Sequence, residues 1–160
     1  LVDSPRIVAV AADGASYTGG AHGNPLVARF VWLPERRALL TAAALIPGAE
    51  GWKVVSGHVR EQLHAALSQR IDAEELDAAE RAEVLRSAAR MIDAGSEPEA
   101  GDFSQFEPLM GPGGTLRGLR FVFPPYQVGP YSDGLQTVEV PAAVLLPHVA
   151  PEYRGLFVAG

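Results

Sequence analysis

The sequence predicts an α+β domain in which a mostly antiparallel sheet, built from hairpins, packs against two central helices and is followed by a C-terminal helical tail. Three observations carry this prediction. Apolar residues alternate over short stretches near both ends of the chain, and the period becomes helical through the middle. Strands and helices also come in blocks, where a parallel sheet would need them to alternate one for one. With 160 residues, 48% of them apolar, the chain suffices for one core of ordinary size.

The first block reads as two hairpins. Residues 6–12 (RIVAVAA) form a strand, Asp13-Gly14 supplies a tight turn, and residues 15–18 return as its partner. After the glycine-rich stretch YTGGAHGNP, residues 26–33 (LVARFVWL) form the next strand, residues 34–37 (PERR) turn the chain, and residues 38–40 start back. The 17 glycines and 13 prolines are spread along the chain with no low-complexity tract, as expected of many turns in an ordered domain.

The middle block is helical. Trp52, Val55, Val59, Leu63, Leu67 and Ile71 recur at steps of three and four and define one buried stripe. A second helix is expected over residues 73–92, with Asp72 and Glu75 at capping-box spacing, acids in the first turns, Arg81, Arg86 and Arg90 later, and Gly95 as its stop. Its charges read as a solvated face matched to the helix dipole.

The last block returns to strands. Residues 106–110 and 116–123 flank a GPGG turn and place Leu119, Phe121 and Phe123 on one face. Residues 136–140 (QTVEV) alternate again, and Pro141 leads into a helical tail broken at Pro147 and restarted at Pro151.

Several chemistries are excluded by composition. There is no cysteine, hence no disulfide, thiolate metal site or cysteine nucleophile. The net charge is −6 and the arginines are scattered, which is no footprint for a nucleic-acid backbone. No apolar run approaches the roughly 18 residues of a membrane span. The GPGGTLRG stretch matches neither a dinucleotide fingerprint nor a P-loop. His22, His58, His64 and His148 lack the i, i+4 pairing that sets two imidazoles on one helix face, so neither a metal nor any other cofactor is expected.

Two turn clusters remain as candidate sites. One is the loop around His22 and Asn24; the other is YQVGPYSDG, with Tyr126, Tyr131, Ser132 and Asp133. Exposed turn clusters on a rigid sheet commonly carry recognition, so these six residues are the candidate ligand-binding set. A triad of Ser132, His22 and Asp133 is unattractive. Adjacent residues point in different directions, and no GxSxG elbow is present. His22 itself reads most simply as a polar plug within the crossover from one hairpin to the next, with binding by the loop as the alternative.

Taken together, YTGGAHGNP, the Trp52 helix with VREQLHAAL, and FVFPPYQVGPYSDG followed by VEVP resemble a bacterial domain of unknown function found in the outer part of anti-sigma factors of the RsiV type and beside the catalytic domain of peptidoglycan deacetylases of the PdaC type. The resemblance runs from residue 17 to about residue 157. It implies that residues 1–18 are the final hairpin of a truncated N-terminal module and that residues 19–160 are the envelope domain, one compact unit overall. It also implies an extracytoplasmic, periplasmic location with a lipid anchor in sequence before Leu1. The theme it carries is recognition, by a non-catalytic module, of a cell-wall glycan or of a wall-directed protein such as lysozyme. The alternatives are a hydrolase or glycan-modifying enzyme centred on His22, and a structural spacer of a lipoprotein. A truncated edge at residues 6–12 would also invite self-association, and the acidic surface would steer a cationic partner.

Overall fold

A computed structural model of the chain describes residues 2–3, 7–16, 24–124, 127–128 and 136–157, without the side chains of residues 2–3, 13–16 and 24–27. The strands divide into two antiparallel sheets. The first has the order β1 (Val2–Asp3), β2 (Val8–Ser16), β3 (Asn24–Leu33), β4 (Ala38–Leu39). The helices α1 (Ala42–Leu45), α2 (Ala49–Asp72) and α3 (Ala78–Gly95) follow. The second sheet has the order β5 (Phe106–Met110), β6 (Leu116–Phe123), β7 (Gln136–Pro141), and the tail is α4 (Ala142–Leu145) with 3-10 turns at Leu146–His148 and Pro151–Leu156. The α+β class, the GPGG hairpin and the proline-broken tail agree with the sequence reading.

Two expectations fail for physical reasons. Asp13-Gly14 is not a turn: β2 runs straight through it to Ser16, with Asp13 opposite Val27 and Gly14 opposite Leu26. Residues 15–16 therefore continue β2 and do not fold back on residues 8–12, while residues 17–18 lie outside the described residues. The partner of β2 is β3, with Ser16 opposite Asn24, so the glycine-rich stretch joins two paired strands instead of two hairpins. A two-residue turn signal is outweighed here by a ladder that pairs β2 with β3 from Val8 to Ser16.

The second helix also starts later than its first capping signal. Ile71, last of the buried stripe, keeps α2 helical to Asp72, so Asp72 cannot cap a helix beginning at 73. The chain turns at 73–77, with Glu74 N–H donating to Ile71 C=O at 3.0 Å, and Asp77 caps α3 by accepting from Glu80 N–H at 2.8 Å. The Asp72 carboxylate pairs instead with Arg81 Nη1 at 2.5 Å.

One core joins all of these layers. Ile7 just before β2, Val31 and Leu33 of β3, the α2 stripe, and Phe106, Leu119, Phe121 and Val138 from the second sheet belong to a single buried cluster. At its centre the Trp52 ring stacks on Phe103 with centroids 5.4 Å apart, while Phe121 and Phe123 meet Phe103 edge-on. Trp52 Nε1 donates to Ile46 C=O at 2.8 Å, which satisfies the buried indole. Ser56 Oγ donates to Ser96 C=O at 2.6 Å and fastens α2 to the end of α3. At the periphery, the Arg36 guanidinium lies 4.7 Å over the Tyr153 ring and also donates to Glu152 C=O, joining the 34–37 turn to the tail. Among the described residues no helix is long and apolar enough to cross a membrane.

Candidate functional site

Alternation along β3 decides which side chains meet the core. Val31 and Leu33 point inward and are buried, whereas Phe30 and Trp32 point outward. Register then gathers their neighbours onto the same outer face, with Val10 opposite Phe30, Val8 opposite Trp32, and Leu39 of β4 opposite Trp32 on its other side. Val10, Phe30, Trp32 and Leu39 are each 40 to 50% exposed. The inner face of this sheet packs on the core, while the outer face leaves these four large apolar side chains in water. Contiguous apolar surface of that kind marks an interaction site more often than scattered single residues do.

A charged row begins where this sheet meets the second one. Arg29 faces inward from β3, its side chain only 7% exposed, and its Nε lies 3.4 Å from Glu107 Oε2 on β5. Its backbone N–H donates to Gln105 Oε1 at 2.6 Å, which ties β3 to the entry of β5. Cross-strand register continues the row, since Glu107 is opposite Arg120 and Arg120 is opposite Glu139. Arg120 Nη1 is 3.8 Å from Glu107 Oε1, its Nη2 is 3.7 Å from Glu139 Oε1, and Arg117 Nη2 is 3.8 Å from the same Glu139 oxygen.

Phe30 joins the apolar face to the charged row. A cleft of about 220 Å³ is lined by Val10, Phe30, Arg29, Glu107, Pro108 and Arg120, among others. A second hollow of about 350 Å³, lined by Phe30, Leu39, Thr41, Ala43, Ser104 and Gln105 among others, also borders Phe30. Aromatic surface, two shallow depressions and convergent charge together make this the candidate binding surface.

The candidates named from sequence are placed differently. His22, Tyr126, Tyr131, Ser132 and Asp133 lie outside the described residues, and Asn24 opens β3 opposite Ser16, its side chain also outside them. The remaining histidines are dispersed. His58 Nε2 is 3.3 Å from Glu139 C=O, His64 Nε2 is 3.2 Å from Asp93 Oδ1, and His148 packs close to Gly51. Among the described residues no group of three or more His, Asp or Glu side chains could hold a metal ion. Sequence reasoning passed over Phe30, Trp32, Arg29, Glu107 and Arg120. The signal available for the first two was a strand apolar on both faces, FVWL, in the first quarter of the chain; for the charges there was none before register was known.

The profile of the family described as "Protein of unknown function (DUF3298)" matches residues 53–143, more than half of the chain. Among solved structures, a DUF3298 family protein from Pseudomonas aeruginosa PAO1 superposes with a TM-score of 0.59 at 17% identity, over 96% of this chain and 59% of that one. This chain thus spans somewhat over half the length of that relative, and the likeness is one of fold. No curated protein matches.

Proposed function

The chain belongs to the DUF3298 family, and on that premise we propose that it is a non-catalytic binding module of the cell envelope that recognises a cell-wall glycan. The observation that supports this reading most is the outward pair Phe30 and Trp32, flanked by Val10 and Leu39 and bordered by the cleft that holds Arg29, Glu107 and Arg120. Flat apolar side chains on a rigid sheet offer a stacking surface to the C–H faces of sugar rings, and the adjacent charged groups can hydrogen-bond to hydroxyl and amide groups. The resemblance to anti-sigma factors of the RsiV type and to the accessory domain of PdaC-type deacetylases points the same way, to recognition outside the cytoplasm. A wall-directed protein is the other partner class under that resemblance.

Retention on purified sacculi tests the proposal. The wild-type chain is expected to co-sediment with sacculi well above an unrelated protein of equal negative charge, and the double substitution Phe30→Ala/Trp32→Ala is expected to bring retention down to that control. Equal retention of the wild type and the double variant would refute the glycan reading of this face.

A further inference from the structure

Among the described residues, Arg120 is the guanidinium of the charged row that sits between two glutamates, each of which also has a second arginine within ion-pair reach. Glu107 has Arg29 at 3.4 Å and Glu139 has Arg117 at 3.8 Å. Arg120 lies between the two glutamates, 3.8 Å from one and 3.7 Å from the other. Both separations exceed hydrogen-bonding distance, so these carboxylates balance its charge without engaging its donors. Its side chain is 39% exposed and lines the same cleft as Phe30.

We propose that this cleft binds the carboxylate of an acidic saccharide, with the fork of Arg120 as the principal donor, Arg29 as the buried charge beneath it, and Phe30 against the sugar. The inference rests on the glycan reading above and narrows it from glycans in general to carboxylated ones. A guanidinium presents paired N–H donors in a plane that matches a carboxylate, which a hydroxyl or an acetamido group cannot use as fully. Size agrees with this choice. About 220 Å³ is below the range of drug-sized pockets, and suits one acidic substituent with part of its ring while the rest of the chain lies along the Phe30 and Trp32 face. Glu107 has a positioning role: it is within ion-pair reach of both Arg29 and Arg120 and holds the two guanidiniums on one side of the cleft.

The test uses three probes against the whole chain: the disaccharide of N-acetylglucosamine and N-acetylmuramic acid, the methyl ester of that disaccharide, and the neutral disaccharide of N-acetylglucosamine. Binding is read by calorimetry and by the emission of Trp32, the exposed one of the chain's two tryptophans. The free acid is expected to bind about tenfold more tightly than its ester, as charge-assisted hydrogen bonds to one carboxylate allow. Arg120→Gln should erase most of that difference, with the loss falling far more on the free acid than on the ester, and Phe30→Ala should weaken both. Arg120→Lys should restore part of the preference, because charge returns without the fork. Circular dichroism establishes that each variant is folded, and Arg117→Gln serves as a second removal of charge that should preserve the preference. Equal binding of acid, ester and neutral disaccharide, all dependent on Phe30, would overturn the carboxylate proposal and leave the glycan reading standing. No binding of any probe, with sacculi also not retained, would overturn both.

Discussion

Asp77 holds the start of α3 with one carboxylate. The Glu80 backbone N–H donates to it, and this contact keeps the Asp77 carboxyl below the usual aspartate range. A depressed folded-state value means that the contribution to stability is present above the unfolded value, near 3.9, and is lost as pH falls through the lower folded one. Asp77→Asn should therefore keep most of the cap at neutral pH and flatten the acid limb of the stability curve, whereas Asp77→Ala should lower stability at pH 7. Urea unfolding from pH 7 down to pH 3 separates these outcomes. Ser56 offers a buried counterpart. Its hydroxyl donates to Ser96 C=O, and Ser96 Oγ in turn donates to Ile92 C=O at 2.5 Å and accepts from Arg60 Nε at 3.0 Å. Ser56→Ala removes a buried donor with almost no change in volume and should cost about 1–3 kcal/mol, measured by the same unfolding experiment.

Individual elements differ in how much side chain they tolerate, and two glycines make the contrast measurable. Gly118 in β6 lies opposite Pro141, and an added Cβ would fall 2.5 Å from Val140 C=O and 3.1 Å from Pro141 Cα, both backbone atoms. Gly118→Ala must push β7 away and should cost about 1–3 kcal/mol. Gly57 lies in the middle of α2 on its exposed side, with nothing within 4 Å of such a Cβ. Gly57→Ala should instead stabilise the chain by about 0.4–1 kcal/mol, through helix propensity and a less disordered unfolded state. Chemical denaturation of the two variants side by side should give shifts of opposite sign.

For the whole molecule, apolar burial is one-sided in the first sheet. Its inner face joins the common core, while Val10, Phe30, Trp32 and Leu39 remain outside it. Substitution should divide along that line. Phe103→Ala empties the centre of the aromatic cluster and should cost about 3–5 kcal/mol. Phe30→Thr together with Trp32→Thr keeps strand-forming residues and should cost far less, while raising solubility and abolishing retention on sacculi. Thermal unfolding and sedimentation of the same samples check both halves of this expectation.

Much of the architecture was legible from sequence because local periodicity is a direct consequence of burial. The stripe from Trp52 to Ile71 marks a helix with one wet side, and Leu119, Phe121 and Phe123 mark a strand with one dry face, whichever neighbours supply the cover. Boundaries and partners were not local in this sense. Asp72-x-x-Glu75 and Asp77-x-x-Glu80 have the same capping spacing, and only the packing of Ile71 on the core decides that the second is used. Asp13-Gly14 has the chemistry of a turn, yet the length of the β2 and β3 ladder makes it strand. The candidate site depended most on tertiary structure. Arg29, Glu107, Arg120 and Glu139 come from four strands, and hydrogen-bonded register together with the meeting of the two sheets sets them side by side. Sequence alone determined which stretches bury apolar surface and with what period. Tertiary structure decided which apolar face stays uncovered and which charges become neighbours, because both depend on contacts between segments far apart in the chain.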